Sequence, residues 1–402
     1  MARIFLADPS LISYSGHCYE YLASLAVPLR DRGDEVVILG NQAVDAALRD
    51  EHGVVPAFRL WCDTRFGTDG RTRRIHERAI LDDLLRVSQE FRIDDRDLLV
   101  INTLRHWPLR GVVDWQEALP AWSRPGTALI LHFTAFPDPT TSIGWERHYG
   151  EAFARIEASP CRDNFILMAD SEELVAEFSL INPCLRFLLA PIPHARVHGG
   201  ERDTLDRLRS GRKPRVGYVG EARANKGFDL LPRLLARAEE REMARSFELH
   251  VHAHCGDPLA PFYRRTMSGL RHPSVTLYHE TMDDRQYGEF MAGLDIVALP
   301  YTTDNYHSQT SGVFSEAMGS GKIVVVPKGT WLSTQLGRYL GGMSFSPLDC
   351  EDFSDAVLEI VRDPLPHAVA AAERATLWRQ FHNPDRLIGL LEGTRSRYSK
   401  AI

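Results

Sequence analysis

Short segments rich in apolar and β-branched residues recur along the chain, and they limit its fold more than any other feature. They are RIFLAD (3–8), EVVILG (35–40), LLVIN (98–102), ALILHF (128–133), FILMAD (165–170) and RFLLAPI (186–192) in the first half, and RVGYVG (215–220), FELHVHAH (247–254), SVTLYHE (274–280), DIVALP (295–300) and KIVVVP (322–327) in the second. Strands of this kind are typical of parallel sheets that helices cover on both faces. The pattern therefore predicts an α/β protein with two doubly wound sheets.

The two series of strands are separated by a polar stretch, residues 195–213, that contains no apolar strand. We interpret it as an interdomain linker with room for one helical turn. This predicts an N-terminal Rossmann-like domain at residues 1–194 and a C-terminal one at residues 214–378. Open α/β sheets bind ligands at the carboxyl ends of their strands, so we expect the chemistry in a cleft between the two domains.

Composition excludes several classes of protein. The chain has 47 basic and 54 acidic side chains, a formal net charge of −7, and no block of Lys and Arg, so nucleic acid is not an expected partner. Its six cysteines are scattered without metal-ligand spacing, as in a cytosolic protein. The start of the chain is typical of a first strand rather than of a signal peptide. We therefore expect a cytoplasmic protein, and a peripheral contact with the inner face of the membrane stays open.

One segment of the second series, VGYVGEARANKGFDLL (216–231), carries two cations in a loop between a strand and a helix. The strand is expected to end at Gly220 and the helix to begin after Gly227. Arg223 and Lys226 would then lie beside a helix N-terminus, where backbone N–H groups favour anions such as a diphosphate. A solvated basic turn is the alternative.

A second segment, TSGVFSEAMGSGKIVVVP (310–327), predicts another anion site. Thr310, Ser311 and Gly312 would lie at the start of a helix with free N–H groups. Glu316 falls one turn inside that helix, where its carboxylate could accept hydrogen bonds from a ribose diol. The alternatives are an ordinary N-cap at Ser311 and an exposed glutamate.

Together these two segments resemble the sugar-nucleotide-binding half of the retaining GT-B glycosyltransferases, specifically glycosyltransferase family 4, the group 1 family. That family has a glycine loop ending in Lys-Gly after the first strand of its second domain, and later two glutamates eight residues apart. The resemblance covers essentially the whole chain, with its specific motifs between residues 216 and 327. It implies the GT-B architecture of two Rossmann-like domains with a cleft between them, and a last helix, residues 379–402, that packs back on the first domain.

The resemblance also implies functions for individual residues. Lys226 matches the lysine that contacts the donor diphosphate, and Glu316 matches the glutamate that binds the ribose. The donor-binding residues implied are Gly16, Gly220, Arg223, Lys226, Ser308, Ser311, Gly312, Val313 and Glu316. The catalytic residues implied are His132, Arg223 and Lys226.

The chain departs from the family pattern at two positions. Glu221 stands where an arginine commonly follows the loop glycine, so we assign the missing positive charge to Arg223. Ser308 stands where the first glutamate of the pair is expected, which puts recognition of the donor sugar in doubt. The surrounding residues Asp304, Tyr306, His307 and Gln309 are open as substitutes.

The N-terminal half offers weaker signals. Gly16 and His17 follow the first strand much as the family's glycine-containing loop does. His132 ends an apolar strand, at the position where family members carry a histidine that points at the reacting sugar. A lone histidine at a strand end is otherwise more often structural. Asn102 ends LLVIN and Ser171 follows FILMAD, at analogous positions on the edge of the expected cleft, and both are open as site residues or as simple turn and cap residues.

The resemblance implies a retaining hexosyltransferase that moves a sugar from a nucleotide diphosphate donor to a hydroxyl of a glycan or lipid-linked acceptor, in polysaccharide or glycoconjugate biosynthesis. Lys and Arg supply positive charge and no DxD-type pair is evident in the segments expected at the cleft, so no obligatory divalent metal is expected. A catalytically weak sugar-nucleotide-binding partner protein and a sugar-nucleotide epimerase remain as alternatives. A dinucleotide oxidoreductase is disfavoured because no GxGxxG motif follows either first strand.

Three alternating histidines, His250, His252 and His254, would share one side of a strand, close enough in principle to hold a metal. No carboxylate or cysteine completes the set, apart from Cys255 on the opposite face. A packed or solvent-edge face is therefore the expected structure.

Overall fold

The computed structural model describes residues 3–14, 17–61, 70–136, 145–194, 196–280 and 282–398. The chain divides into two compact units. The N-terminal unit comprises Met1–His194 and Asn383–Ile402, and the C-terminal unit comprises Ala195–His382. Residues 196–213, for which a linker was predicted, therefore lie inside the C-terminal unit, where they include a helix, Asp203–Arg209.

Parallel strands form the centre of the N-terminal unit. In its described part they are β1 (Arg3–Ala7), β2 (Glu35–Asn41), β3 (Val55–Phe58), β4 (Leu98–Ile101), β5 (Gly126–Leu131), β6 (Phe165–Ala169) and β7 (Phe187–Leu189). Their order in the sheet is β3-β2-β1-β4-β5-β6-β7. Both faces of this sheet pack on apolar side chains, which confirms the doubly wound arrangement expected from the apolar runs.

Helices cover both faces of this sheet. They are α1 (His17–Asp31), α2 (Ala46–His52), α3 (Gly70–Phe91), α4 (His106–Ala118), α5 (Glu146–Ala158), α6 (Glu172–Ile181) and the last helix of the chain, α16 (Pro384–Tyr398). Leu387, Ile388 and Leu391 of α16 are buried in the same apolar cluster as residues of α1 and β1. The last helix thus belongs to the N-terminal unit, and it begins at Pro384 rather than at residue 379, because α15 (Leu365–Phe381) of the other unit extends to Phe381.

The C-terminal unit has a second parallel sheet. In the described residues its strands are β8 (Arg215–Glu221), β9 (Glu248–His254), β10 (Val275–Tyr278), β11 (Ile296–Ala298), β12 (Ile323–Pro327) and β13 (Gly342–Phe345), in the order β10-β9-β8-β11-β12-β13. The further helices are α7 (Asp203–Arg209), α8 (Leu231–Glu240), α9 (Pro261–Gly269), α10 (Asp284–Gly293), α11 (Thr303–Tyr306), α12 (Gly312–Gly319), α13 (Trp331–Tyr339) and α14 (Cys350–Arg362).

Each sheet reverses its winding direction at one point, between β1 and β4 in the first unit and between β8 and β11 in the second. Loops that leave neighbouring strands in opposite directions at such a point open a crevice at the carboxyl ends of the strands. The loops after β8 and β11 are therefore where a ligand of the C-terminal unit is expected. None of the described helices is long and apolar enough to cross a membrane.

Candidate functional site

The loop that follows β8 brings Lys226 back over the end of its own strand. Gly220 has a φ of +133°, which glycine adopts readily and other residues rarely do. A Cβ atom built at Gly220 would lie 3.3 Å from Nζ of Lys226, so the missing side chain also leaves room for the ammonium group. Glycine is thus favoured at position 220 by the backbone conformation and also by the close approach of the Lys226 ammonium group.

The same loop is joined to the segment that follows β11. Gly227 has a φ of +66°, and a Cβ atom there would lie 2.0 Å from the carbonyl oxygen of Pro300. The N–H of Thr302 donates a hydrogen bond to the carbonyl oxygen of Asn225 at 3.0 Å. These contacts join the loop after β8 to the start of the stretch that leads from β11 to the second segment, residues 310–327.

The helical stretch expected after Gly227 is present. It begins as a 3₁₀ turn, Phe228–Leu230, and continues as α8 from Leu231. The first turn after Gly227 is thus 3₁₀ rather than α-helical.

Lys226 is a half-buried cation without a protein counter-ion. In the described part of the chain its ammonium group has no hydrogen-bond or ion-pair partner, and it lies 5.8 Å from the ring centroid of Tyr301. Burial, and secondarily the positive charge of Arg223, lowers the pKa of Lys226 to about 8. Both effects disfavour the charged form, and both would be offset by a bound anion.

Arg223 is exposed and forms an ion pair with Glu221, the residue that stands where the family carries an arginine. Its positive charge is thus compensated within the loop. Exposed ion pairs of this kind contribute little to stability and exchange partners readily. Arg223 can therefore reach an anion only by leaving Glu221, whereas Lys226 has no such competitor in the described residues.

Helix α12 begins at Gly312, as expected from the sequence. Ser311 is its N-cap, and the Ser311 hydroxyl accepts a hydrogen bond from the N–H of Phe314 at 3.3 Å. Gly312 and Val313 have N–H groups without a hydrogen-bond partner in the parts of the chain that the structure describes. The side chain of the buried Tyr301, whose ring lies near Lys226, also lies near Ser311. An ammonium group and a helix N-terminus thus flank one tyrosine.

Glu316 is buried rather than exposed, with a relative accessibility of 5%. Its Oε2 atom accepts a hydrogen bond from the hydroxyl of Tyr287 at 2.8 Å and lies 3.3 Å from Nε2 of His198. Neither partner was singled out from the sequence, since they are 29 and 118 residues away along the chain. Proximity in the fold is the only signal that identifies them.

Ser308, which replaces the first glutamate of the family's pair, is fully buried. Its hydroxyl lies 3.3 Å from Nε2 of His307. Of the four open substitutes, Asp304 is exposed, and Tyr306 packs its ring 4.3 Å from that of Tyr301. The contacts do not select one of them as a replacement for a carboxylate.

In the N-terminal unit, His132 follows β5 and is held between two strand ends. Its Nδ1 atom lies 2.8 Å from Oδ2 of Asp170, and its Nε2 atom lies 2.6 Å from Oδ1 of Asn102. Asn102 in turn donates to Asp8 at 2.9 Å. Both ring nitrogens of His132 are therefore engaged within this unit.

The three other candidates of the N-terminal half have different outcomes. Ser171 is the N-cap of α6 and accepts a hydrogen bond from the N–H of Leu174, so it serves as a cap residue. Gly16 lies outside the described residues. Asn102, with its bonds to His132 and Asp8, is part of a buried polar network rather than a simple turn residue.

The alternating histidines of β9 are not arranged as a metal site. His250 lies 3.1 Å from the hydroxyl of Tyr278, His252 packs on the ring of Phe290, and His254 is exposed. Within the described ranges, no group of three or more His, Cys, Asp or Glu side chains is placed to hold a metal ion.

Substitution Gly227→Ala tests the contact between the two loops. A methyl group at this position would meet the Pro300 carbonyl at 2.0 Å, so we expect a loss of several kcal/mol in the unfolding free energy or a displaced loop with weakened anion binding. Gly53→Ala is the matched control, because Gly53 has nearly the same φ, +65°, but nothing within 4 Å of the added atom. Chemical denaturation of both variants measures the difference, and equal losses would contradict the packing argument.

Comparison with known proteins gives one family match and a set of similar solved structures. Residues 213–363 match the family model described as glycosyl transferases group 1. No curated protein matches the chain by sequence. Similar solved structures include sucrose-phosphate synthase from Thermosynechococcus elongatus, at 15% identity and a TM-score of 0.67 over 100% of both chains. Anabaena HepE in complex with UDP and glucose has 16% identity and a TM-score of 0.67, over 99% of this chain and 100% of that one.

The catalytic domain of starch synthase IV from Arabidopsis thaliana, bound to ADP and acarbose, has 12% identity and a TM-score of 0.63, over 100% of this chain and 99% of the other. At such identities the likeness establishes the fold, and the family match is confined to residues 213–363. The chain therefore has the GT-B fold, and part of its C-terminal unit is similar to the group 1 glycosyltransferases.

Proposed function

We propose that the protein is a retaining glycosyltransferase that moves a sugar from a nucleoside diphosphate donor to a hydroxyl group of a glycan or lipid-linked acceptor. The observation that carries this proposal is the half-buried ammonium group of Lys226, which has no counter-ion in the described residues. Leaving a desolvated cation unpaired costs free energy, and a diphosphate would remove that cost. The proposal is also supported by the group 1 match at residues 213–363.

The donor would be bound by the loop after β8 and the start of α12. Lys226 would contact the diphosphate, and the free N–H groups of Gly312 and Val313 would donate to its oxygens. Arg223 would join them on release from Glu221, and Glu316 would accept hydrogen bonds from the ribose hydroxyls. The similar structures support a nucleotide ligand of this kind, since HepE is described in complex with UDP and with UDP-glucose, and starch synthase IV bound to ADP.

Catalysis by these groups would be mainly electrostatic. The bond between C1 of the sugar and the diphosphate oxygen breaks, and the electron pair leaves with the diphosphate. Lys226 and the amides of α12 stabilise this developing negative charge. The acceptor oxygen forms the new bond to C1 on the same face of the sugar, and its proton passes to the departing diphosphate, so that the anomeric configuration is retained.

The contact of His132 with the donor sugar is a prediction. Direct contact of its ring with the donor sugar would require the exchange of one of its two hydrogen bonds, to Asp170 or to Asn102. A function in holding the ends of β4, β5 and β6 in register needs no such exchange. Asp170 and Asn102 would then serve that function together with His132.

The cationic groups lead us to propose that transfer needs no divalent metal, since Lys226 and the helix N-terminus supply the positive charge that a metal ion supplies elsewhere. Addition of EDTA to the purified protein is expected to leave the rate of sugar transfer unchanged. Loss of activity with EDTA, restored by Mg²⁺ or Mn²⁺, would contradict this. The matched comparison measures the rate of sugar transfer by the Lys226→Ala variant with and without added Mg²⁺.

The proposed activity is tested by titration calorimetry with UDP, ADP, GDP and dTDP, followed by transfer assays with the sugar conjugates of those that bind. We expect selective binding of one or more of the four, and a product whose anomeric configuration, read by NMR, matches that of the donor. Binding of none of them would refute the donor site. Inversion at C1 would refute the retaining mechanism and leave the donor site intact.

A second candidate function is favoured by one observation, the fully buried Ser308 at the position of the family's first glutamate. Without that carboxylate the protein would bind a sugar nucleotide and transfer little or nothing. Hydrolysis of the bound donor in the absence of acceptor distinguishes the two, because a pure binding protein is expected to hydrolyse none. This assay needs no knowledge of the acceptor.

A further inference from the structure

The carboxylate of Glu316 is held by two side chains that come from distant segments. Oε2 accepts a hydrogen bond from the Tyr287 hydroxyl at 2.8 Å, and Nε2 of His198 lies 3.3 Å from the same oxygen. The rings of His198 and Tyr287 are nearly perpendicular, at 86° and 5.5 Å between centroids. All three residues belong to the C-terminal unit.

Each of the two donors is itself anchored. The N–H of His198 donates to the hydroxyl of Ser320, just past the end of α12, at 2.8 Å. Tyr287 lies in the first turn of α10, which begins with a capping box between Asp283 and Gln286. The backbone hydrogen bond to Ser320 therefore fixes His198, and the start of α10 fixes Tyr287. These are the two side chains that contact Oε2 of Glu316.

The two oxygens of the Glu316 carboxylate differ in their contacts. Both donors reach Oε2, whereas Oε1 has no hydrogen-bond partner among the residues that the structure describes. A buried carboxylate loses hydration and needs hydrogen bonds on both oxygens to recover it. One oxygen is thus used for orientation, and the other keeps its acceptor capacity.

We propose that Tyr287 and His198 are positioning residues that hold Glu316 with Oε1 available to a vicinal diol, so that they determine selectivity for the ribose of the bound nucleotide. This inference rests on the proposed function, in which Glu316 contacts the ribose. It assigns to two further residues a part in recognition through Glu316. Neither of them would touch the ligand.

The test compares nucleoside diphosphates with and without the diol. Calorimetry with UDP and ADP and their 2′,3′-dideoxy analogues gives the ratio of the two Kd values for the wild type, Tyr287→Phe and His198→Phe. A carboxylate that accepts from two hydroxyls should favour the ribonucleotide by about tenfold or more. In both variants we expect that ratio to fall to about twofold, because a carboxylate with one donor removed is no longer held in one orientation.

Inorganic pyrophosphate provides the internal reference, since it lacks a ribose and should bind the wild type and both variants equally. Tyr278→Phe is the matched control. It removes a tyrosine hydroxyl that lies 3.1 Å from a histidine nitrogen elsewhere in the same unit, and it should keep the wild-type ratio. Urea denaturation of each variant shows whether it is folded at the temperature of the titration.

The outcomes separate this inference from the proposed function. If UDP or ADP binds the wild type and the ratio is unchanged in the folded Tyr287→Phe variant, the positioning by Tyr287 and His198 is refuted and the donor site stands. If neither nucleotide, nor GDP or dTDP, binds the wild type, the donor site itself is refuted and the inference with it. A reduced ratio with unchanged pyrophosphate affinity supports both.

Discussion

Replacement of Lys226 by alanine is expected to weaken the binding of a nucleoside diphosphate, and the rate of sugar transfer, by about 100-fold or more. The reason is that its half-buried ammonium group has no counter-ion in the described residues, so that its charge is available to a ligand anion. The neighbouring Arg223 cannot replace it at no cost, because Arg223 is paired with Glu221. Calorimetric titration with the diphosphate that binds the wild type measures the loss.

Lys213→Ala is the matched control for this variant. Lys213 is exposed and precedes β8, whereas Lys226 follows the same strand, so the two substitutions remove the same charge at opposite ends of β8. The control should bind the diphosphate as the wild type does. Similar losses in both variants would mean that net charge rather than the local site governs binding.

The pH dependence of binding follows from the lowered pKa of Lys226, which is about 8 in the free protein. Affinity for the diphosphate should fall as the pH rises through about 8, since the neutral amine attracts no anion. A bound anion raises this pKa again, so binding near pH 8 should take up protons. Titrations in two buffers of different ionisation enthalpy measure that uptake, which should disappear in Lys226→Ala.

The effect of the same group on stability has the opposite sign. An unfolded lysine keeps its proton up to about pH 10.4, so between about pH 8 and pH 10 the unfolded chain binds more protons than the folded one. The contribution of Lys226 to the unfolding free energy therefore rises with pH in that window, while ligand affinity falls. A difference in stability between the wild type and Lys226→Ala that does not change with pH would contradict the depressed pKa.

The second large effect is expected at Arg374, where substitution by alanine should lower the unfolding free energy of the C-terminal unit by about 3–5 kcal/mol. Arg374 is buried on α15, with an accessibility of 1%. It donates to the carbonyl oxygens of Leu340 and Gly341, both at 2.5 Å, and to that of Lys322. Removal of the guanidinium group leaves these oxygens without their donor and opens a cavity.

The backbone conformation of the turn that Arg374 contacts is a second reason to expect a large loss of stability in Arg374→Ala. Leu340 has a φ of +60°, which is unfavourable for a residue with a side chain, and Gly341 has a φ of +81°. The hydrogen bonds from Arg374 thus hold a strained turn between α13 and β13. Arg379→Ala, on the same helix, is the matched control, since Arg379 is partly exposed and should cost only about 1 kcal/mol. Urea denaturation compares the two, and equal losses would contradict the proposed importance of Arg374.

Most of the strands were predictable because their own side chains specify them. The eleven runs named from the sequence all contain a strand. Most of these strands are buried on both faces and apolar along their length, whereas β9 alternates buried and partly exposed residues and β10 has no fully buried one. Two strands were missed, β3 and β13. Each has only four residues and lies at the edge of its sheet, and Pro56 in one and Gly342 in the other weaken the pattern.

Parts of the candidate site were predictable for a similar local reason. A loop rich in glycine and cations after a strand, and a Thr-Ser-Gly start of a helix, each follow from a few adjacent residues. The helix predicted after Gly227 is present, with a 3₁₀ first turn at Phe228–Leu230. The close approach of Gly227 to the carbonyl oxygen of Pro300 was not predicted. The carbonyl it meets lies beyond any local pattern.

Two lysines, Lys226 and Lys322, show what the sequence could not predict. Burial lowers the pKa of both Lys226 and Lys322 to about 8. Lys322 donates to the carbonyl oxygens of Ala292 and Leu294, both at 2.9 Å, whereas Lys226 has no such partner among the described residues. Nothing next to either lysine along the chain reveals this difference.

Hydrophobic pattern and chain order were enough to specify most strands of the two parallel sheets and the positions of the loops proposed to bind the ligand, because a strand's burial and a loop's glycines are local properties. The tertiary structure alone decided which charges are left for a ligand and which carboxylate is held in place. Those outcomes depend on groups that the chain brings together from far apart, such as His198 and Tyr287 on Glu316. Desolvation and hydrogen bonding act through space, so they become visible only once the chain is folded.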